Sequence, residues 1–423
     1  MNKARFQILI IILVLAIASM AFAQNLTRTN WTKTVGFNPD LSNLPFKTGD
    51  VISASNVDKA KAFIPDAIFV MMKKYGLVAD VSAYKAVVPS DGYISATNKN
   101  SAQVQLGDAN GSPRIRGLNN YVSGLPFINP KSGTEVAWNY HYSYNGDDAK
   151  NFFGVYWISA KRGVEKWEEW DWDYIMRGMN RTDIPPFPAL TQMAKKGYAY
   201  ASLTVTLFPP DKKDFSALYY RRHAPKDQEG WIYLPQNRRH QRHTFGTRGD
   251  AWNQTDMLYE DVRGYMGYPE WMNWKIVKKA TMYAPVHANI PLGKDNVKKV
   301  WDFETAPHWN PRLNWEPRPV YVVEALPKFK DYPYSKMVFY IDAESYAIIF
   351  KECYDRKGQL WKLIMNITND SKNPRKEPLA IAGALAVDIQ GEHATTFCWY
   401  TGKYNVGLTY QDFVPSVLTK RGK

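Results

Sequence analysis

In the stretch ASLTVTLF, Ala201, Leu203, Val205 and Leu207 alternate with Ser202, Thr204 and Thr206. A period of two places successive side chains on opposite faces, which suits an extended strand with one dry and one wet face. The same period runs through TEVAWNYHYSYNG, where Val136, Trp138, Tyr140, Tyr142 and Tyr144 alternate with Glu135, Asn139, His141, Ser143 and Asn145, and it predicts a strand there too. Further strands are predicted at WIYL from Trp231, VYVVEAL from Val320, KMVFYID from Lys336, YAIIFKECY from Tyr346, LWKLIMNI from Leu360 and ATTFCWY from Ala394. Turns as short as Asp342 to Ser345 and Asp355 to Gly358 join them. Connections of that length leave no room for crossover helices, so the chain reads as a mainly β (α+β) protein built on an antiparallel meander.

One helix stands out before the strands. Asn56 caps a segment in which Ala60, Phe63, Ile64, Ile68, Met71, Met72 and Tyr75 recur at helical spacing, Gly76 stops it, and Pro65 kinks or splits it. This is the pattern of a core-packing amphipathic helix. Residues 24–48 have no clear period and read as an extended arm, and residues 49–423 as a single domain.

Residues 1–23 have the layout of a secretory signal peptide: Lys3 and Arg5, an apolar run from Ile8 to Ala18, then Ala21-Phe22-Ala23. The run is short for a membrane span, which needs about 20 apolar residues. Cleavage is expected after Ala23, and no cysteine lies nearby to carry a lipid anchor, so the mature chain is expected in the periplasm. The whole chain carries 54 basic and 40 acidic residues; loss of Lys3 and Arg5 leaves 52 against 40, a net charge of +12. That balance favours anionic lipid head groups, anionic glycans or an acidic protein, including peripheral contact with a membrane, and no nucleic-acid motif accompanies it. Cys353 and Cys398 are the only thiols; an oxidising compartment permits a disulfide between them, and two buried free thiols fit equally well.

Aromatic residues make up 14% of the chain, with 15 Trp and 27 Tyr, a surplus over what a packed core requires. A sheet faced with Trp and Tyr offers apolar area with polar edges, the lining of a pocket for lipid chains, sterol-like molecules or sugars. The strand positions that supply such a lining are Trp138, Tyr140, Tyr142, Leu203, Val205, Trp231 and Tyr233.

Motifs that carry chemistry are sparse. His240 and His243 stand three apart with His223 upstream, but residues three apart on a strand face opposite ways and the neighbouring arginines repel a divalent cation, so no metal site is expected. EKWEEWDWD sets Glu165, Glu168, Glu169, Asp171 and Asp173 among tryptophans, as a glycan hydrolase would. Acids adjacent on one segment do not face each other across a bond, and a solvated helix or loop anchored by its tryptophans is the simpler expectation. No GxSxG, HExxH, phosphate-binding glycine loop or CxxC occurs, so neither catalysis nor a cofactor is expected.

In GWIYLPQNRRHQRHTFG, Pro235-Gln236-Asn237 supplies a turn between two segments, the arms of a hairpin. Its Arg238, Arg239 and Arg242 have two uses. They pair with acids of the same chain, such as Asp250, Asp256, Glu260 and Asp261, or they hold an anionic head group or an acidic partner.

WIYLPQNRRHQRH resembles the W-Y-L-P-x-x-R-R-x-R-R signature of the exported proteins grouped as domain of unknown function family 1329. GLPFINPKSGTEVAWNYHYSYNGD, YEDVRGYMGYPEWMNWKIVKKATMYAPV, YVVEALPK, MVFYIDAESYAIIFKECYDRKGQLWK and GLTYQDFVPSVLTKRG are similar to that family's other blocks, in its order, from about Gly49 to the C-terminus. His240 and His243 depart from the pattern and make the charge of the hairpin sensitive to pH. The resemblance implies a fold like that of the lipoprotein carriers LolA and LolB: a strongly curved antiparallel sheet, an incomplete barrel, with helices covering the concave face and a hydrophobic cavity between. It also implies an outer-membrane barrel protein and a resistance-nodulation-division-type exporter as partners. The expected function is a periplasmic carrier or chaperone for a hydrophobic molecule, with an accessory subunit docking on such partners and an envelope-glycan hydrolase as alternatives.

Overall fold

The computed structural model describes residues 25–107, 117–222, 229–244 and 249–421. The signal segment, His223 and the side chain of His243 lie outside them. Among the described residues, fifteen strands join in one sheet. In chain order they are β1 (Val51–Ile52), β2 (Ala79–Val81), β3 (Asp148–Ser159), β4 (Gly163–Ile175), β5 (Tyr198–Phe208), β6 (Ser216–Arg222), β7 (Glu229–Leu234) and β8 (Arg239–Thr244). They continue with β9 (Met272–Ala284), β10 (Leu313–Pro327), β11 (Lys336–Asp342), β12 (Ile348–Tyr354), β13 (Leu360–Asn369), β14 (Ala380–Asp388) and β15 (His393–Tyr404).

The spatial order is β1-β2-β10-β11-β12-β13-β14-β15-β3-β4-β5-β6-β7-β8, with β9 also against β10. Two meanders, β10 to β15 and β3 to β8, are stitched together where β15 pairs antiparallel with β3. Only β2 runs parallel to its neighbour β10. The sheet curves without closing, because β8 and β9 end it on opposite sides. Register slips at Trp157/Ile158, Glu169/Trp170, Ile276/Lys278 and Trp399/Thr401 insert extra residues, and each such bulge adds bend and twist.

The run VYVVEAL is apolar at nearly every position because both sheet faces are covered there. Val320 and Val322 pack with Ile68, Met71, Met72, Leu363 and Met365 on one face. Tyr321, Val323 and Ala325 pack with Val136, Tyr140, Tyr93 and Ile94 on the other. Helices thus lie on both faces: α1 (Asp66–Tyr75) on the first, α2 (Asp91–Asn100) and α3 (Gly133–His141) on the second. Pro65 does split the first helix, leaving a 3-10 segment Val57–Phe63 before α1, and Gly76 ends α1 in the left-handed conformation at φ 69°. The first part of the N-terminal arm lies on the second face, with Trp31 in a single helical turn, Trp31–Thr34, donating Nε1–H to the Glu344 carbonyl at 3.0 Å, while Phe46 at its end packs on the first face.

Two segments differ from the sequence reading. TEVAWNYHYSYNG is not a strand; its first part is α3. Ser132 accepts from the Glu135 amide at 3.2 Å while the Glu135 carboxylate accepts from the Lys131 amide, so a capping arrangement at the N-terminus sets the helix. Val136 and Tyr140, four apart, then share the buried face. EKWEEWDWD is not a solvated helix or loop but lies in β4, between β3 and β5, with Trp170, Trp172 and Tyr174 buried at a period of two. Cys353 and Cys398 are both free and buried. Cys353 packs with Tyr334 on the second face and Cys398 with Leu385 on the first, and β13 and β14 separate their strands, which is too far for a disulfide.

Candidate functional site

At one end of β12 to β14 the second face opens into a cleft of about 80 Å³. Its walls come from distant parts of the chain: Tyr140 from α3, Trp172 from β4, Phe397 and Trp399 from β15, Ile348 from β12, and Trp252 and Met257 from the segment before β9. The rings hold one another in place. Trp252 stacks on Phe397 with centroids 5.6 Å apart, Trp399 stacks on Phe153 at 4.7 Å, and Trp252 meets Trp170 edge-on at 5.3 Å. Tyr140 donates its hydroxyl to the Tyr265 carbonyl at 2.8 Å, which turns its ring edge away from water. Among the described residues Arg263 is the one charged residue in this wall.

A second hollow of about 460 Å³ shares Asn145, Ser345, Ala347, Thr368, Leu379 and Ile381 with the first, so the two adjoin across a common wall. Trp31, Val87, Tyr93 and Tyr144 give it apolar surface, and Arg28, Lys85, His287, Glu344, Asp370 and Glu377 give it charge. Lys85 and Asp370 pair at 2.7 Å, and His287 Nδ1 lies 2.8 Å from Glu316. The shared wall rests on a rigid base. Fully buried Arg318 reaches Asp342 at 2.8 Å, Glu344 at 2.6 Å and Glu316 at 3.1 Å, and Asp342 in turn accepts from the amide and hydroxyl of Ser345 at 2.7 and 2.8 Å. Burial pushes the Asp342 carboxyl up, and the Arg318 guanidinium outweighs that effect and holds it below the usual carboxylate range.

The residues singled out from sequence fall into separate places. Tyr140 lines the cleft. Trp138 and Tyr142 stack on each other at 5.9 Å on and just beyond α3. Leu203, Val205 and Tyr233 are packed in another cluster with Phe413 and Leu418, and Trp231 packs against it, beneath the C-terminal helix α5 (Ser416–Arg421; α4 is Thr191–Lys196). None of these four is in the walls of either hollow.

The hairpin forms as read, with β7 and β8 around a 3-10 turn Pro235–Asn237 and Arg242 opposite Trp231. Arg238, Arg239 and Arg242 are exposed and make no ion pair among the described residues. The expected pairing with downstream acids does not occur at three of the four: Asp256 bonds His393 and Thr395, Glu260 accepts from Tyr332, and Asp261 pairs with buried Lys351. In β4, Glu168 pairs with Lys212 at 2.6 Å and Glu169 with Lys294, from opposite faces of the strand, so these two carboxylates do not confront one another. Among the described residues no group of three or more His, Cys, Asp or Glu is gathered as for a metal.

Sequence reasoning missed most of the cleft. ATTFCWY carried a usable signal, since its alternation puts Phe397 and Trp399 on one face. Trp252, Met257 and Arg263 lie in an irregular segment and carried none.

A family model described as "Protein of unknown function (DUF1329)" matches residues 51–418. An uncharacterised protein of Pseudomonas aeruginosa is 25% identical over 410 residues, which covers 91% of this chain and 83% of that one. Among solved structures, a domain from Vibrio parahaemolyticus proposed to be an outer membrane lipoprotein-sorting protein is similar at 17% identity and TM-score 0.48, covering 68% of this chain and 98% of its own. A DUF1329 family protein from Desulfovibrio piger is similar at 16% identity and TM-score 0.46, covering 68% and 97%.

Proposed function

The chain belongs to the DUF1329 family, and from its cleft we propose that it is a carrier that binds a hydrophobic or amphipathic molecule, a lipid, a lipoprotein acyl chain or an exported apolar compound, in the cell envelope. The observation that supports this reading is the pair of adjoining hollows, one walled mainly by apolar side chains, Tyr140, Trp172, Trp252, Ile348, Phe397 and Trp399, with Arg263 among them, and the other lined by apolar and charged groups alike. Burying about 200 Å² of a ligand's apolar surface there contributes roughly 5 kcal/mol. Rings already locked against one another lose little freedom when a chain enters, so most of that gain is kept. Among the described residues no helix is long and apolar enough to cross a membrane. The leader read in residues 1–23 supports a periplasmic carrier that passes its cargo between membranes or to an export system.

The test is native mass spectrometry of delipidated protein after incubation with envelope extract. The expected result is a retained apolar species that is lost in Ala347→Trp, which fills the wall shared by the two hollows. Recovery of no such species from any extract contradicts a carrier.

A second reading attaches to the exposed Arg238 at the hairpin turn and Arg239 and Arg242 on the edge strand β8: the hairpin docks on an acidic surface of an outer-membrane barrel protein or exporter. Such docking weakens with salt and with Arg238 and Arg239 replaced by Ala, measured as co-purification. Salt-independent association that survives both replacements excludes it.

A further inference from the structure

Tyr140 and Arg263 also wall a third, smaller hollow, together with Tyr142, Tyr200, Arg177, Arg221 and Arg222. Among the described residues lining it there are four guanidinium groups and no carboxylate. Arg222 is balanced by Glu229. The other three form no ion pair among the described residues. Arg177 is 4% exposed; it donates to the carbonyls of Tyr142 and Ser143, and its Nε has no partner. Arg221 is 6% exposed, donates to the Gly267 carbonyl at 2.9 Å and lies 4.2 Å over the Tyr268 ring. Among the described residues the Arg263 guanidinium has a single polar contact, from Nη1 to the Met176 sulfur at 3.0 Å.

The surrounding hydroxyls supply no counter-charge. Burial pushes the hydroxyls of Tyr140 and Tyr200 up, so both stay neutral at physiological pH. Arg177 and Arg221 are removed from water without an anion, which is unfavourable, and half-buried Arg263 beside them adds to the repulsion. Carbonyl and ring contacts offset part of that cost, and an oxyanion would offset the rest, because the guanidinium fork matches a pair of carboxylate or phosphate oxygens. Arg263 and Tyr140 stand where this hollow and the apolar cleft share a wall, and among the described residues Arg263 is the one charge that the apolar cleft contains.

We propose that the arginine hollow holds the anionic head group, a carboxylate or a phosphate, of a ligand whose apolar chain lies in the adjoining cleft. The cargo is then an anionic amphiphile, with Arg263 at the junction of head and chain. The proposal rests on the cleft being the apolar binding site, and the test separates the two.

Delipidated full-length protein is titrated calorimetrically with hexadecanoate, hexadecyl phosphate and hexadecan-1-ol, which share a chain and differ in the head. The expected result is binding of at least one anion at least about tenfold tighter than the alcohol, with the preference falling towards unity in Arg263→Met and in Arg221→Met. A preference confined to one anion supports the proposal and identifies the head group. Equal binding of all three by the unaltered protein, or a preference that survives both replacements, overturns the proposal and leaves the apolar cleft standing. Binding of none of the three removes the cleft reading and the proposal with it.

Discussion

Arg318 is the residue on which the wall of the cleft depends most. Three carboxylates, Glu316, Asp342 and Glu344, converge on it in the interior. Arg318→Met keeps much of the volume but leaves buried acids uncompensated, and is expected to lower stability by about 3–5 kcal/mol in urea denaturation. An unchanged midpoint would show that the acids escape to water or take up protons at no cost. His393 is a second residue with a measurable signature. Its hydrogen bond to Asp256, at 2.8 Å, lifts the imidazole above its ordinary value. The native state therefore holds that proton more tightly than the unfolded chain. The resulting stability is complete below the ordinary imidazole pKa and is lost as pH rises through the lifted one. Urea midpoints measured from about pH 6 to pH 8 should fall more in the unaltered protein than in His393→Gln, and an NMR titration should place the ring's midpoint above that of free imidazole. Neither residue's role was legible in the sequence. Glu316 stands 2 residues from Arg318, but Asp342 and Glu344 lie 24 and 26 residues further along, and only the β10–β11 pairing and the turn after β11 bring all three together.

At the scale of elements, strands were legible and the decisive helix was not. In β5 and in β10 to β13, a dry or doubly covered sheet writes its period directly into the sequence. Segment 134–146 carries aromatics every second residue, yet Ser132 and Glu135 cap a helix there, and helical spacing also joins Val136 to Tyr140 and Trp138 to Tyr142. The local capping signal outweighed the alternation. The opposite happened in β4, where acids among tryptophans suggested solvent while Lys212 and Lys294 reach in to pair with them. The position of α3 hangs on Gly133. A Cβ there would sit 2.6 Å from the backbone of Trp274 and Lys275 on β9, so strand and helix cannot keep their spacing. Gly133→Ala is expected to cost about 1–3 kcal/mol and to displace Tyr140 from the cleft wall. Thermal unfolding measures the first effect, and weaker binding of a neutral long-chain alcohol the second; an unperturbed melting temperature would mean that the helix slides without loss.

The whole molecule is an open sheet covered on both faces, and its functional geometry arises from the parts that carry no period. The second face is closed over by α2, α3 and the N-terminal arm around one cluster, while the irregular segment before β9 covers the neighbouring one and, with β4 and β15, walls the cleft. Of the residues that the aromatic surplus suggested for a pocket lining, Tyr140 stands in the wall of the cleft. Leu203, Val205 and Tyr233 have the same strand pattern but face the C-terminal helix, since a period of two says that a face is buried and not what covers it. The central claim, that this cleft takes an apolar chain, is tested most directly by photolabelling. A neutral long-chain alcohol carrying a diazirine in its tail is bound to the delipidated protein, irradiated, and its adducts are mapped by peptide mass spectrometry. The account requires adducts at Met257, Ile348, Ile381 or Phe397, lost in Ala347→Trp; adducts confined to surface residues such as Phe187 and Phe329, or to the cluster around Leu203, would contradict it.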